Sequence, residues 1–169
     1  MKRLLCAAVL ALLLAGSAWA AKAPDGFRGI KWGTPLEEVS GLVPDGGISK
    51  RLKLYSRPDD ELAMGDIPLE TLTYDFFDGR FSGVMMVMEP EHQEGIVALL
   101  TGLYGQPKRD KEDSGVYAWD FYEGEELRLV IRAEPLILFG GRKTVYRVVY
   151  QTPEVFRYME TSQWIRDLE

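Results

Sequence analysis

Leu69-Glu70-Thr71-Leu72-Thr73-Tyr74-Asp75-Phe76-Phe77-Asp78-Gly79-Arg80-Phe81-Ser82-Gly83-Val84-Met85-Met86-Val87-Met88 is the stretch on which the fold turns. Two runs rich in β-branched and aromatic residues flank Asp78-Gly79, a dipeptide that tolerates the positive φ of a two-residue hairpin turn. The turn predicts strands over 69–77 and 80–88, with Phe77 opposite Arg80 and Phe76 opposite Phe81. Continued without interruption, that register sets Tyr74 opposite Gly83 and Leu72 opposite Met85. Alternation then gives a core face of Leu72, Tyr74, Phe76, Phe81, Met85 and Val87. The opposite face carries Thr71, Thr73, Asp75, Phe77, Ser82, Val84, Met86 and Met88, and is half polar.

Working outward, a helix is predicted over 91–104, because Ile96, Leu99, Leu100 and Leu103 recur at helical spacing. Gly105 and Pro107 stop it. Strands follow over 116–122 and 127–132, with Glu123-Gly124 in their turn. A last hairpin has Pro135 to Phe139 leading into Gly140-Gly141 and 143–151 returning. Thr152-Pro153 then starts a helix carrying Val155, Phe156, Met159, Trp164 and Ile165. Upstream, Thr34-Pro35 with Glu37 reads as a capping box opening a short helix, Asp45-Gly46-Gly47 as a loop, and 51–56 as a strand. The predicted class is α+β: an antiparallel sheet with helices packed on one face. The order reads as a tandem α-β-β-β repeat followed by a C-terminal helix.

The chain opens with Lys2-Arg3, an apolar run from Leu4 to Leu14, and small residues ending Ala18-Trp19-Ala20. That is the pattern of a signal peptide over 1–20, cut after Ala20, and its apolar run is too short to span a bilayer. Residues 21–169 are expected to form a single exported domain in the periplasm or secreted, with no transmembrane span. The full chain has a formal net charge of −6, and loss of Lys2 and Arg3 makes the remainder more acidic still. Nucleic acid and anionic lipid, which need a basic surface, are therefore not expected as partners.

The opening Gly29-Ile30-Lys31-Trp32-Gly33-Thr34-Pro35, followed by a short helix with Val39, resembles the start of small exported bacterial proteins of unknown function. Leu103-Tyr104-Gly105-Gln106-Pro107, followed by Tyr117-Ala118-Trp119, resembles their second half. The chain is similar, more loosely, to beta-lactamase-inhibitor-like and outer-membrane-assembly-lipoprotein domains. That resemblance implies helices on an antiparallel sheet and work done by binding other proteins. It rests on a cap, a helix stop and a tryptophan, and carries no catalytic residue. The acylated cysteine that follows the lipoprotein signal has no counterpart here.

The only cysteine, Cys6, lies in the signal, and the chain has a single histidine. The common His/Cys zinc clusters and a Cys–His nucleophile pair are thereby excluded, and no cofactor is implied. Met86 and Met88 share a face in the predicted register, with His92 just beyond. Two thioethers and an imidazole are the ligand set of Cu(I), which makes metal handling an alternative function. Asp75, Asp120 and Glu126 lie in or beside strands and keep a hydrolase as a third reading, although Asp120 is more simply paired with a cation. Trp32, Trp119 and Trp164 read as core, and Lys50, Arg51, Lys53 and Arg57 as a solvated basic edge.

The leading expectation is a non-enzymatic binding domain. Pro135 cannot donate to a ladder, so Leu136, Ile137, Leu138 and Phe139 belong to an edge or bulged strand. Leu136 and Leu138 face one way and Ile137 and Phe139 the other, and a tip apolar on both sides leaves one side for a protein partner or a small apolar ligand. The oligomeric state is open.

Overall fold

The computed structural model describes residues 22–109, 114–138 and 141–161. The Asp78-Gly79 turn forms as predicted, with φ of 49° and 78°, and joins β7 (Thr71–Phe77) to β8 (Arg80–Met88). Around this hairpin runs an antiparallel sheet of eight strands. Its first half adds β3 (Val43–Gly47) and β4 (Leu52–Ser56). Its second half consists of β9 (Lys108–Arg109), β10 (Tyr117–Glu123), β11 (Glu126–Leu138) and β12 (Lys143–Gln151). The order is β3-β4-β7-β8-β12-β11-β10-β9, so the two halves meet where β8 pairs with β12, from Met88 opposite Tyr146 to Gly83 opposite Gln151. Two small ribbons, β1 (Gly26–Phe27) with β2 (Ile30–Lys31) and β5 (Ala63–Met64) with β6 (Ile67–Pro68), complete the strands.

The predicted register holds only at the turn. Phe77 faces Arg80 and Phe76 faces Phe81, but Asp75, not Tyr74, faces Gly83, and Tyr74 faces Val84. Ser82 is the additional residue of a β-bulge, and a bulge reverses every side chain beyond it. The core face of β8 is therefore Phe81, Val84, Met86 and Met88, packed with Leu72, Tyr74 and Phe76. Neighbouring strands explain the position of the bulge. Before Ser82 the free flank of β8 is taken by Gly33–Leu36: Gly33 donates to Phe81, Phe81 to Thr34 and Leu36 to Gly79, at 2.7, 2.9 and 2.9 Å. From Gly83 onward β12 occupies the same flank, and Thr152 donates to the Ser82 carbonyl at 2.9 Å.

This use of Gly33–Leu36 also removes the predicted first helix. The carbonyl of Thr34 is spent on Phe81, Glu38 donates to Pro35, and the Thr34 hydroxyl donates back to Lys31. Only a single 3-10 turn, Leu36–Glu38, remains, without a side-chain cap. The Asp45-Gly46-Gly47 loop is instead the exposed edge strand β3. The strand predicted at 127–132 and the described part of the one predicted at 135–139 are one continuous strand, β11. Pro135 is tolerated there because β10 begins only at Tyr117, opposite Ala133, so Pro135 has no ladder partner on that flank while it faces Tyr146 of β12 on the other.

Helices lie on both faces of the sheet, not on one. Helix α1 (Gln93–Tyr104) buries Ile96 and Leu100 against the core face, while Leu103 stands 54% exposed. Gly105, at φ 81°, ends α1 as predicted, and its carbonyl accepts a 2.8 Å hydrogen bond from the buried Trp119 indole. Helix α2 (Pro153–Glu160) sets Val155 and Tyr158 against Leu52 and Phe77 on the opposite face. On that face Tyr158 also bonds to the Ser49 hydroxyl at 2.7 Å. Among the described residues no helix is long and apolar enough to cross a membrane. The predicted signal segment, Phe139 and Trp164 lie outside the described residues.

Candidate functional site

The bulge brings Ser82 and the turn before it to the wall of a cavity of about 650 Å³. It is lined by Trp32 and Gly33, by Phe77, Asp78, Arg80 and Ser82 of the hairpin, by Glu126 to Arg128 of β11, and by Thr152 to Glu154 with Arg157 at α2. The volume falls in the range of ordinary ligand pockets. Trp32 is held flat by stacking on Phe81, with ring centroids 4.9 Å apart, and by donating its indole N–H to Pro24 at 2.8 Å.

Four arginines wall this one cavity: Arg51, Arg80, Arg128 and Arg157. Arg51 lies over Phe77, 4.4 Å from the ring centre, and forks onto both carboxylate oxygens of Asp78. That hydrogen-bonded guanidinium holds the Asp78 carboxyl below its ordinary pKa. Arg128 pairs with Glu123 at 2.9 Å and Glu126 at 3.2 Å. Arg80 differs: its guanidinium donates to the Gly33 carbonyl at 3.0 Å, and among the described residues it has no carboxylate partner. Arg157, exposed on α2, has none either. The acids that share the cavity are Asp78, Glu126 and Glu154, and the first two are already engaged by Arg51 and Arg128.

The start of α2 borders the cavity. Thr152 stands at the N-cap with φ −65° and ψ 158°, yet its side chain caps nothing, and its Oγ1 is buried without a hydrogen-bond partner. An uncapped first turn leaves backbone N–H groups and the positive end of the helix dipole facing outward. Oxyanions are the groups that such donors and free guanidinium forks bind best.

The residues singled out from sequence fare differently. Met86 and Met88 have no exposed surface and sit in the main core. The bulge at Ser82 turned them inward, so the accessible thioether face needed for a Cu(I) site does not form. His92 remains half-buried at the start of α1, 3.8 Å from Glu91. Among the described residues no group of three or more His, Cys, Asp or Glu is placed to hold a metal. Asp120 pairs with Lys108 at 2.9 Å, and Glu126 with Arg128. Three strands, β8, β12 and β11, lie between Asp75 on β7 and Asp120 on β10, so these carboxylates form no acid–base pair. At the tip Ile137 is 66% exposed, while Leu136 and Leu138 on the other side are half-buried.

Of the four arginines, the sequence marks Arg51 only as a member of a basic edge and Arg80 only as a hairpin position. Arg80, Arg128 and Arg157 are scattered singly along the chain, and nothing local marks them as neighbours. No family model, curated protein or solved structure matches this chain.

Proposed function

We propose that the protein is an exported, non-enzymatic binding domain whose binding surface is the arginine-walled cavity at the start of α2. The observation that carries this reading is the pair Arg80 and Arg157. A chain of net charge −6 places in one cavity two guanidinium groups that have no carboxylate partner among the described residues, beside the paired Arg51 and Arg128. Guanidinium groups with no internal role in neutralising acids are available to a ligand. The sheet supports reading the domain as a tandem of two related units, since each half supplies four strands and the halves meet at their last strands. In that arrangement the cavity collects residues from both units, which a single unit could not supply. Export, to the periplasm or beyond it, is supported by the signal pattern over 1–20.

The experiment is site-specific photocrosslinking in the exporting cell. A benzoylphenylalanine is placed at Leu127 in the cavity wall, at Ile137 on the tip, or at Glu61 as a surface control. A discrete adduct from Leu127 that is absent from Glu61 supports the cavity. An adduct from Ile137 alone moves the binding surface to the tip, a second reading favoured by the 66% exposure of that residue. No adduct from either position overturns the binding-domain reading.

A further inference from the structure

We infer that the cavity recognises a single carboxylate attached to an apolar group, the chemistry of a peptide's C-terminal residue, with the carboxylate held by Arg80, Arg157 and the Thr152 hydroxyl at the open first turn of α2. The inference rests on the cavity being the binding surface and names what that surface selects.

Three separate observations converge on the charge of the ligand. Arg80 and Arg157 have no carboxylate partner among the described residues. The α2 first turn has no side-chain cap. The Thr152 Oγ1 is buried without a partner, a state that costs the fold free energy and is relieved when an acceptor arrives. A carboxylate answers all three, since it accepts from guanidinium, hydroxyl and backbone N–H alike.

The charge must also be small. The cavity wall sums to four arginines against three carboxylates, in a molecule whose overall charge is −6. A polyanion such as nucleic acid or a phosphorylated surface gains at most the local arginines and is repelled by the rest of the molecule. A monoanion gains the local donors with little of that repulsion. The apolar companion follows from the remaining wall: Trp32, Phe77 and Leu127 offer ring and aliphatic surface next to the arginines. A side chain laid there gives up water on one side while its carboxylate faces α2.

The test is a titration of the protein from Ala21 onward, followed by ¹H–¹⁵N spectra and calorimetry. The probes are N-acetyl-phenylalanine, its uncharged amide and inorganic phosphate. The acid is expected to shift the amide signals of Trp32, Thr152 and Glu154 and to bind at least about tenfold more tightly than the amide or phosphate. Arg157→Gln, at an exposed position on α2, should weaken the acid about tenfold while leaving the amide unchanged. Thr152→Val separates binding from folding: it removes an unpartnered hydroxyl, so the thermal midpoint should hold or rise while affinity for the acid falls. Equal binding of acid and amide would overturn the carboxylate assignment while leaving the cavity as a binding surface. Tighter binding of phosphate would overturn the preference for a monoanion. An unchanged affinity in both variants would overturn the assigned residues.

Discussion

Asp75 offers the sharpest test of the packing described above. It is 5% exposed on β7, faces Gly83, and among the described residues its one side-chain hydrogen bond comes from the Thr73 hydroxyl at 3.4 Å. Among the described residues no basic group is paired with it. Burial therefore disfavours the charged form and pushes its pKa up to about 7, against a modest opposing effect from Thr73. In the unfolded chain an aspartate ionises near 3.9. The folded value is the higher one, so the fold binds the proton more tightly. The stability that this contributes is complete below about pH 4 and is lost as the pH rises to about 7. A gap of about three pH units corresponds to on the order of 4 kcal/mol. Asp75→Asn keeps the shape and cannot ionise. Urea unfolding at a series of pH values from 3.5 to 8.5 should show variant and wild type diverging as the pH rises, with the variant the more stable by several kcal/mol at pH 8. A difference that does not change with pH, or an asparagine that destabilises throughout, would refute the account of a neutral buried carboxyl.

Gly83→Ala should destabilise by about 2 kcal/mol or more, because the new Cβ would lie 2.8 Å from the Tyr150 carbonyl and 3.2 Å from Asp75 Oδ2. Denaturant unfolding measures it, and a neutral result would mean the bulge is looser than described. Ile137→Ser should leave the thermal midpoint within a few degrees of wild type, since a side chain 66% exposed has little burial to lose. A collapse in stability would show that the tip is core. Mass spectrometry of the exported protein should find Ala21 at its N-terminus, and recovery of intact Met1 from the membrane fraction would exclude cleavage.

Much of the fold was legible because it depends on local chemistry. Asp78-Gly79 dictates a hairpin, Gly105 dictates the end of α1, and Pro153 suits the first turn of α2. The faces of β8 were not legible. Beyond Gly83 the run Val84-Met85-Met86-Val87-Met88 is apolar on both sides, so alternation could not choose between two registers one residue apart. The one local signal was Gly83 itself, since glycine inside a strand often marks a bulge or a close backbone approach. The first helix failed for the opposite reason. Its capping chemistry is sound, but the flank of β8 took the Thr34 carbonyl first, and no local pattern reports that competition. The candidate site was the least legible part. Its arginines come from four separate segments, and what makes them a site is their juxtaposition and, among the described residues, the lack of carboxylate partners for two of them.

The seam between β8 and β12 has a kinetic consequence. Each of these strands already has a partner close by in sequence, β7 for one and β11 for the other, whereas Met86 and Val148, which face each other, are separated by more than a third of the chain. Pairings between distant segments close late, after the nearby hairpins have formed. Until they do, each half carries a bare, apolar strand edge that fits the edge of the other half, whether that half belongs to the same molecule or to its neighbour. Refolded at high concentration, the chain should therefore yield some intertwined dimers in which halves are exchanged, with a native circular dichroism spectrum and twice the native mass. Dilute refolding should suppress them.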